Sequence, residues 1–284
     1  MNRSHLTINT RGTLIDFKVP KVMGIINVTT DSFYALSRVN DDDDIALRAT
    51  QLIANGADIL DIGACSTRPG ADVVSEDEEY SALARALDKI REVLPDAVLS
   101  VDTFRSNIAR KCVEQWNVDI INDIGGGSMD PGMFATIADL QVPYVLTHSR
   151  GTPATMNNLT DYSDVTAEVI TELSKKVYEL HGLKVNDIII DPGFGFAKTT
   201  AQNFQLLHEL GEFCRMGMPV MAGLSRKSMI WKTLSITPDE SLEGTIVLNT
   251  VALQNGADIL RVHDVKEAVT AVKLVMAVEN DGNS

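Results

Sequence analysis

The chain has 284 residues, of which 44% are hydrophobic and 23% charged, a balance that suits a globular protein with a substantial core. Its formal charge of −14 argues against a nucleic-acid surface, since a phosphate backbone needs a basic footprint, and no apolar run approaches the roughly 18 residues needed to cross a membrane. Its three cysteines, Cys65, Cys112 and Cys214, lie far apart with no CxxC pair, so the expectation is a reduced, cytoplasmic protein without a disulfide framework or structural zinc.

The first residues, MNRSHLTINTRG, lack the apolar central region of a secretory signal. HLTIN and TLIDF alternate around Arg11-Gly12, which predicts a β-hairpin within residues 1–20. Short apolar runs then mark strands at Val22–Ile26, Ile59–Ile62, Val98–Val101, Ile120–Ile121, Tyr144–Leu146, Ile188–Ile190, Val220–Ala222 and Ile259–Val262. Amphipathic stretches at Ile45–Ala54, Glu76–Val93, Val165–Leu180 and Val265–Val278 predict helices between them. Ser75 with Glu78, and Thr237 with Glu240, have the spacing of capping boxes. The run Asp41–Asp44 reads as a favourable interaction with a helix N-terminus rather than as a metal site.

The hexapeptide NGADIL occurs twice, at Asn55–Leu60 and Asn255–Leu260. Each copy reads as a helix stop at Asn-Gly followed by a strand. The first continues into Asp61 and the second into Arg261. Asp61, which precedes its strand end, is expected to be structural, whereas Arg261 and His263 alternate and so share one face.

Eight strands alternating with helices imply parallel strands, arranged either as an open doubly wound sheet or as a closed (β/α)8 barrel. The length and the count favour a single (β/α)8 TIM barrel over residues 21–280, and no glycine fingerprint follows the first barrel strand. Chemistry in such a barrel sits at the C-terminal strand ends. Asp102, Asn122 and Asp191 end the third, fourth and sixth barrel strands, where they would accept from a flat ring carrying N–H groups. Arg68, Lys227, Arg261 and His263 supply cations from the second, seventh and eighth, suited to a phosphate. His148 fits a pocket wall as well as it fits a participant, and Met216, Met218, Met221 and Met229 read as core. No nucleophile–base pair is evident.

The segments MGIINVTTDSF, STRPGA, SVDT, IINDI, IIIDPGFGFAK, GLSRKSMI and RVHDVKE, in that order, resemble the dihydropteroate synthase family over nearly the whole chain. The resemblance implies a cytoplasmic homodimer that uses Mg2+ and joins a dihydropterin methyl diphosphate to p-aminobenzoate, releasing pyrophosphate. It further implies that Asp102, Asn122, Asp191 and Lys227 hold the pterin. Asn27 would ligate Mg2+ and, with Arg261 and His263, grip the diphosphate. Thr67, Arg68, Pro69, Phe196 and Ser228 would form the aminobenzoate site, with Phe33 closing over it. Against the family pattern, Thr30, Leu36-Ser37, Cys65 and Thr147 are departures. A methyltransferase acting on a methylated folate, and a pterin-binding protein without turnover, are the alternative readings.

Overall fold

The computed structural model describes residues 6–28, 42–64 and 74–281. A two-stranded antiparallel hairpin, β1 (Thr7–Thr10) and β2 (Thr13–Asp16), comes first. Its two-residue turn needs positive φ at both positions, and Arg11 at +48° and Gly12 at +84° supply it. Eight parallel strands follow: β3 (Lys21–Asn27), β4 (Ile59–Gly63), β5 (Leu99–Asp102), β6 (Ile120–Asp123), β7 (Tyr144–Thr147), β8 (Ile188–Asp191), β9 (Met221–Ala222) and β10 (Ile259–Val262). They lie in the order β8-β7-β6-β5-β4-β3-β10-β9. A parallel bridge between Ile190 and Val220 joins the two edges into a barrel, as the strand count predicts.

The helices are α1 (Asp42–Ala54), α2 (Glu76–Val93), α3 (Ser106–Trp116), α4 (Met133–Leu140), α5 (Val165–Gly182), α6 (Thr200–His208), α7 (Leu210–Phe213), α8 (Ser228–Leu234), α9 (Leu242–Gln254) and α10 (Val265–Asp281). The Ser75–Glu78 capping box forms at the start of α2. Thr237 and Glu240 also bond to each other, but they close a turn that ends before α9 begins at Leu242. The expectation of a helix start there is corrected, because a hydroxyl and a carboxylate three residues apart close a lone turn equally well. Asp43 and Asp44 are exposed in the first turn of α1, as the macrodipole reading expects. Both copies of NGADIL stop their helices through glycine, Gly56 at φ +99° and Gly256 at φ +98°.

Period-two alternation divides each barrel strand between two cores. Outward residues such as Val22, Leu60, Val101, Ile121, Leu146, Ile190 and Leu260 are buried in one continuous cluster with the helices. Inward residues Met23, Ile59, Ile120, Val145, Ile189, Met221 and Ile259 form a second cluster with Ile8 and Phe17 of the hairpin. The hairpin therefore plugs the N-terminal end of the barrel. Apolar filling stops one layer up, where the inward side chains become Asp61, Ser100, Asn122, Thr147, Asp191 and Arg261, most of them almost fully buried. That change of chemistry within one barrel marks the candidate site.

Candidate active site

The two residues that follow NGADIL meet. Arg261 Nε donates to Asp61 Oδ2 at 2.7 Å, and its Nη2 reaches the same oxygen at 2.6 Å. Nη2 also donates to Asp102 Oδ2 at 2.6 Å. Asp61 is fully buried and further accepts from Ser100 Oγ at 2.6 Å and Asn122 Nδ2 at 3.0 Å. Asp61 thus has the structural role expected of it: it lies inside the barrel beneath the candidate site and holds two of the candidate residues, Asn122 and Arg261, in place. Position 61 falls in the same inward frame on β4 as position 261 on β10, on either side of β3. The opposite charges after the repeat are two halves of one buried pair.

Around this pair the other expected side chains converge. Asn122 Nδ2 donates to Asp61 Oδ2, and its Oδ1 is buried without a partner. Asp191 Oδ1 accepts from Gly193 N at 2.8 Å, so it anchors a glycine loop and does not cap a helix. Lys227 precedes α8 and its ammonium lies 4.3 Å from the centre of the Phe196 ring. Ser228 is the first residue of α8. His263 receives orientation from Ser225, whose Oγ lies 2.9 Å from Nδ1 and accepts from the His263 backbone N–H at 3.2 Å. Asn27 ends β3 beside Gly63. Arg226 is committed to Asp264 through two nitrogens, at 2.9 and 3.0 Å. Phe33, Thr67, Arg68, Pro69 and Cys65, with the departures at Thr30 and Leu36-Ser37, lie outside the described residues.

Burial governs the protonation of this cluster. Loss of water pushes the Asp102 carboxyl up to about 7; Arg261 opposes the shift, and Asp61 and Asp123 reinforce it. Asp191 is raised for the same first reason, with the Gly193 N–H and the cations Lys227, Arg261 and Lys198 pulling it back. Lys227 is lowered to about 8 by burial against the pull of Asp191. Arg261 is raised, because Asp61 and Asp102 outweigh the cost of its burial.

Behind the Gly193–Phe196 loop stands a group that was not singled out from the sequence. Lys198, almost fully buried, donates to Gly193 O at 3.1 Å, Phe196 O at 3.0 Å and His148 Nδ1 at 2.9 Å. Burial lowers it to about 7. His148 Nε2 lies 2.9 Å from Glu172 Oε2, and Arg150 pairs with both Glu172 and Glu168. Burial first, then Lys198, holds the His148 imidazole down at about 3, so the ring is neutral with its hydrogen on Nε2 toward Glu172. A lysine closing a glycine-rich motif looks in sequence like any surface lysine, and only the packing of the loop against β7 buries it.

Among the described residues no group of three His, Cys, Asp or Glu side chains is arranged to hold a metal. Among the described residues the metal-ligand candidate from the sequence is the Asn27 side-chain amide, at the end of β3. A single amide oxygen suits Mg2+ that keeps most of its shell as water and phosphate oxygens, so the donor set fits a cation brought with a diphosphate.

Residues 23–263 match the model of the pterin binding enzyme family. Dihydropteroate synthase of Synechocystis sp. is 41% identical over 94% of this chain and 93% of its own length. The structure of Yersinia pestis dihydropteroate synthase with a sulfonamide drug complex superposes with a TM-score of 0.90, at 33% identity over 97% of this chain and all of that one. Xanthomonas albilineans dihydropteroate synthase with 4-aminobenzoic acid gives a TM-score of 0.87, at 36% identity, covering 96% and 98% of the two chains. The chain belongs to the dihydropteroate synthase family. It is therefore a pterin-handling transferase of folate biosynthesis. The described helices include none long and apolar enough to cross a membrane.

Proposed function

We propose that this barrel condenses 6-hydroxymethyl-7,8-dihydropterin diphosphate with p-aminobenzoate, giving 7,8-dihydropteroate and pyrophosphate, by ionisation of the diphosphate. The observation that carries the reading is one polar layer that supplies both kinds of partner. The acceptors Asp102, Asn122 Oδ1 and Asp191 end β5, β6 and β8, the basic side chains Lys227, Arg261 and His263 stand at or beside the ends of β9 and β10, and Arg261 joins the two sets through Asp102. A pterin is a flat ring with adjacent N–H donors, which carboxylates and an amide oxygen match. Lys227 donates to the ring and covers it, while Arg261 and His263 hold the diphosphate.

The C–O bond to the diphosphate breaks with its electron pair leaving on pyrophosphate. Fixed cations beside that oxygen stabilise the developing charge without having to reorganise. Mg2+, held by Asn27, supplies further charge to the diphosphate when bound. The methylene carbon delocalises its positive charge into the pterin ring. The neutral arylamine nitrogen then forms the C–N bond and releases its proton, so no side chain has to act as a strong base. This agrees with a site rich in acceptors and cations but without a nucleophile–base dyad. Phe196 and Ser228, with Phe33, Thr67, Arg68 and Pro69, form the arylamine subsite in this reading.

The chain works as a cytoplasmic homodimer. An apolar groove of about 210 Å3 between α9 and α10, lined by Ile246, Ala271, Leu274 and Val275, supports pairing. Val247, Leu274 and Val278 are more than half exposed beside it.

The test is pyrophosphate release from the dihydropterin diphosphate with Mg2+, with and without p-aminobenzoate. Release that requires p-aminobenzoate and yields dihydropteroate is the expected result. Calorimetric binding of the pterin without release would reduce the protein to a pterin binder.

A further inference from the structure

The chain from Gly193 to Phe196 carries the aromatic ring that lies beneath Lys227, and it passes unusually close to the end of β7. Gly193 has φ +73°, and a Cβ built there would lie 1.9 Å from the carbonyl oxygen of His148. Two loops in such contact leave carbonyl groups facing inward, and those groups need donors. Phe196 N–H turns back onto Gly193 O. On the outer side Asn203 of α6 accepts from Gly195 N at 2.7 Å. On the inner side the only donor among the described residues that bridges the loop to β7 is the Lys198 ammonium, with its three hydrogens matched by Gly193 O, Phe196 O and His148 Nδ1.

An ammonium there is expensive. A buried charge is tolerated only where it is fully hydrogen-bonded, and an apolar side chain would fill the same space at less cost. Lys198 also touches none of Asp102, Asn122, Asp191 or Lys227 by hydrogen bond. Its three bonds go to the frame of the loop, and the far end of that frame runs through His148 to Glu172 and Arg150 on the outside of the barrel.

We propose that Lys198 is a positioning residue, which ties Gly193 and Phe196 to His148 and thereby fixes the Phe196 ring against Lys227 where the arylamine ring is received. The proposal rests on the synthase reading above. His148 serves Lys198 as an acceptor of fixed tautomer, and Glu172 sets that tautomer from behind. Loss of the clamp lets the ring move without removing any group that binds the pterin. Its effect therefore falls on the second substrate.

The experiment compares Lys198→Met, His148→Leu and His148→Asn with the wild type in steady-state assays that vary each substrate in turn. Hydrogen exchange of the Gly193–Phe196 amides is followed in parallel. Lys198→Met is expected to raise KM for p-aminobenzoate about tenfold, to change pterin diphosphate affinity less than threefold, and to speed exchange of the loop amides. His148→Leu should share that pattern. His148→Asn, whose side-chain oxygen can replace Nδ1, should restore most of the p-aminobenzoate KM. Equal losses for both substrates, or an unchanged p-aminobenzoate KM in folded Lys198→Met, would overturn the proposal. Should Lys198→Met fail to fold, the Leu and Asn variants at His148 decide, and equal behaviour of the two refutes the clamp. A wild type that makes no dihydropteroate would instead refute the functional reading itself.

Discussion

Asp61→Asn is the sharpest probe of the buried floor, because it keeps the shape of the side chain and removes only its charge. Asp61 accepts from Ser100, Asn122 and Arg261, all within 3.0 Å, and is fully buried. Removing one partner of a buried ion pair costs about 3–5 kcal/mol. Arg261 keeps Asp102 at 2.6 Å, so we expect the lower end, about 3 kcal/mol. For a domain of 284 residues that corresponds to a fall in Tm of roughly 5 °C. Thermal unfolding followed by circular dichroism at pH 7.5 reads it directly. Arg261→Gln should be as damaging alone, since it strands two carboxylates. The double variant should be more stable than the sum of the two losses by about 2 kcal/mol, because each change removes the charge the other leaves unpaired. A single Asp61→Asn loss below about 1 kcal/mol, or strict additivity, would refute the claim that the pair supports the floor.

Two further expectations concern the same layer. With Asp102 raised to about 7, its carboxylate is the acceptor form only above that pH, so pterin affinity should rise as pH climbs from 6 through 7. It should fall again above about 8, as Lys227 loses its proton. Calorimetry at spaced pH values checks both limbs, and a flat profile from pH 6 to 8 would contradict the assignment of Asp102. The same shift affects stability. Between about pH 4 and 7 the folded chain holds a proton on Asp102 that the unfolded chain releases, so this contribution to stability is lost as pH rises, and Asp102→Asn should flatten that part of the stability profile. Thr147, fully buried with an unpartnered hydroxyl, follows the inward-facing Val145 by two residues and stands opposite Asp191 on β8. Thr147→Val should therefore stabilise the fold by about 1 kcal/mol, while lowering pterin affinity if the hydroxyl serves the ring. A loss of stability measured by urea unfolding would show that the hydroxyl has a partner in the folded protein.

Much of the architecture was legible in the chain because barrels are repetitive. Each strand is a short apolar run, four of the helices are legible as amphipathic stretches, and Gly56 and Gly256 mark two of the junctions by a backbone conformation that other residues rarely adopt. The convergence of Asp102, Asn122, Asp191, Lys227 and Arg261 followed from one topological rule, that strand ends of a barrel share a rim. Helix starts were less secure. Ser75 opens a helix and Thr237 does not, although both have a glutamate three residues on.

What the sequence could not determine is which charges neutralise one another. Asp61 and Arg261 are 200 residues apart, and reading along the chain gives no reason to pair them rather than any other acid and base. Closure of the barrel sets β10 and β4 on either side of β3, and their shared inward frame turns both side chains into one space. Lys198 gives the same lesson from the rim. Local sequence dictates the periodicity of strands and helices, since that depends on neighbours along the chain. Burial, ion pairing and shifted protonation depend on neighbours in space, and only the closed tertiary structure supplies those.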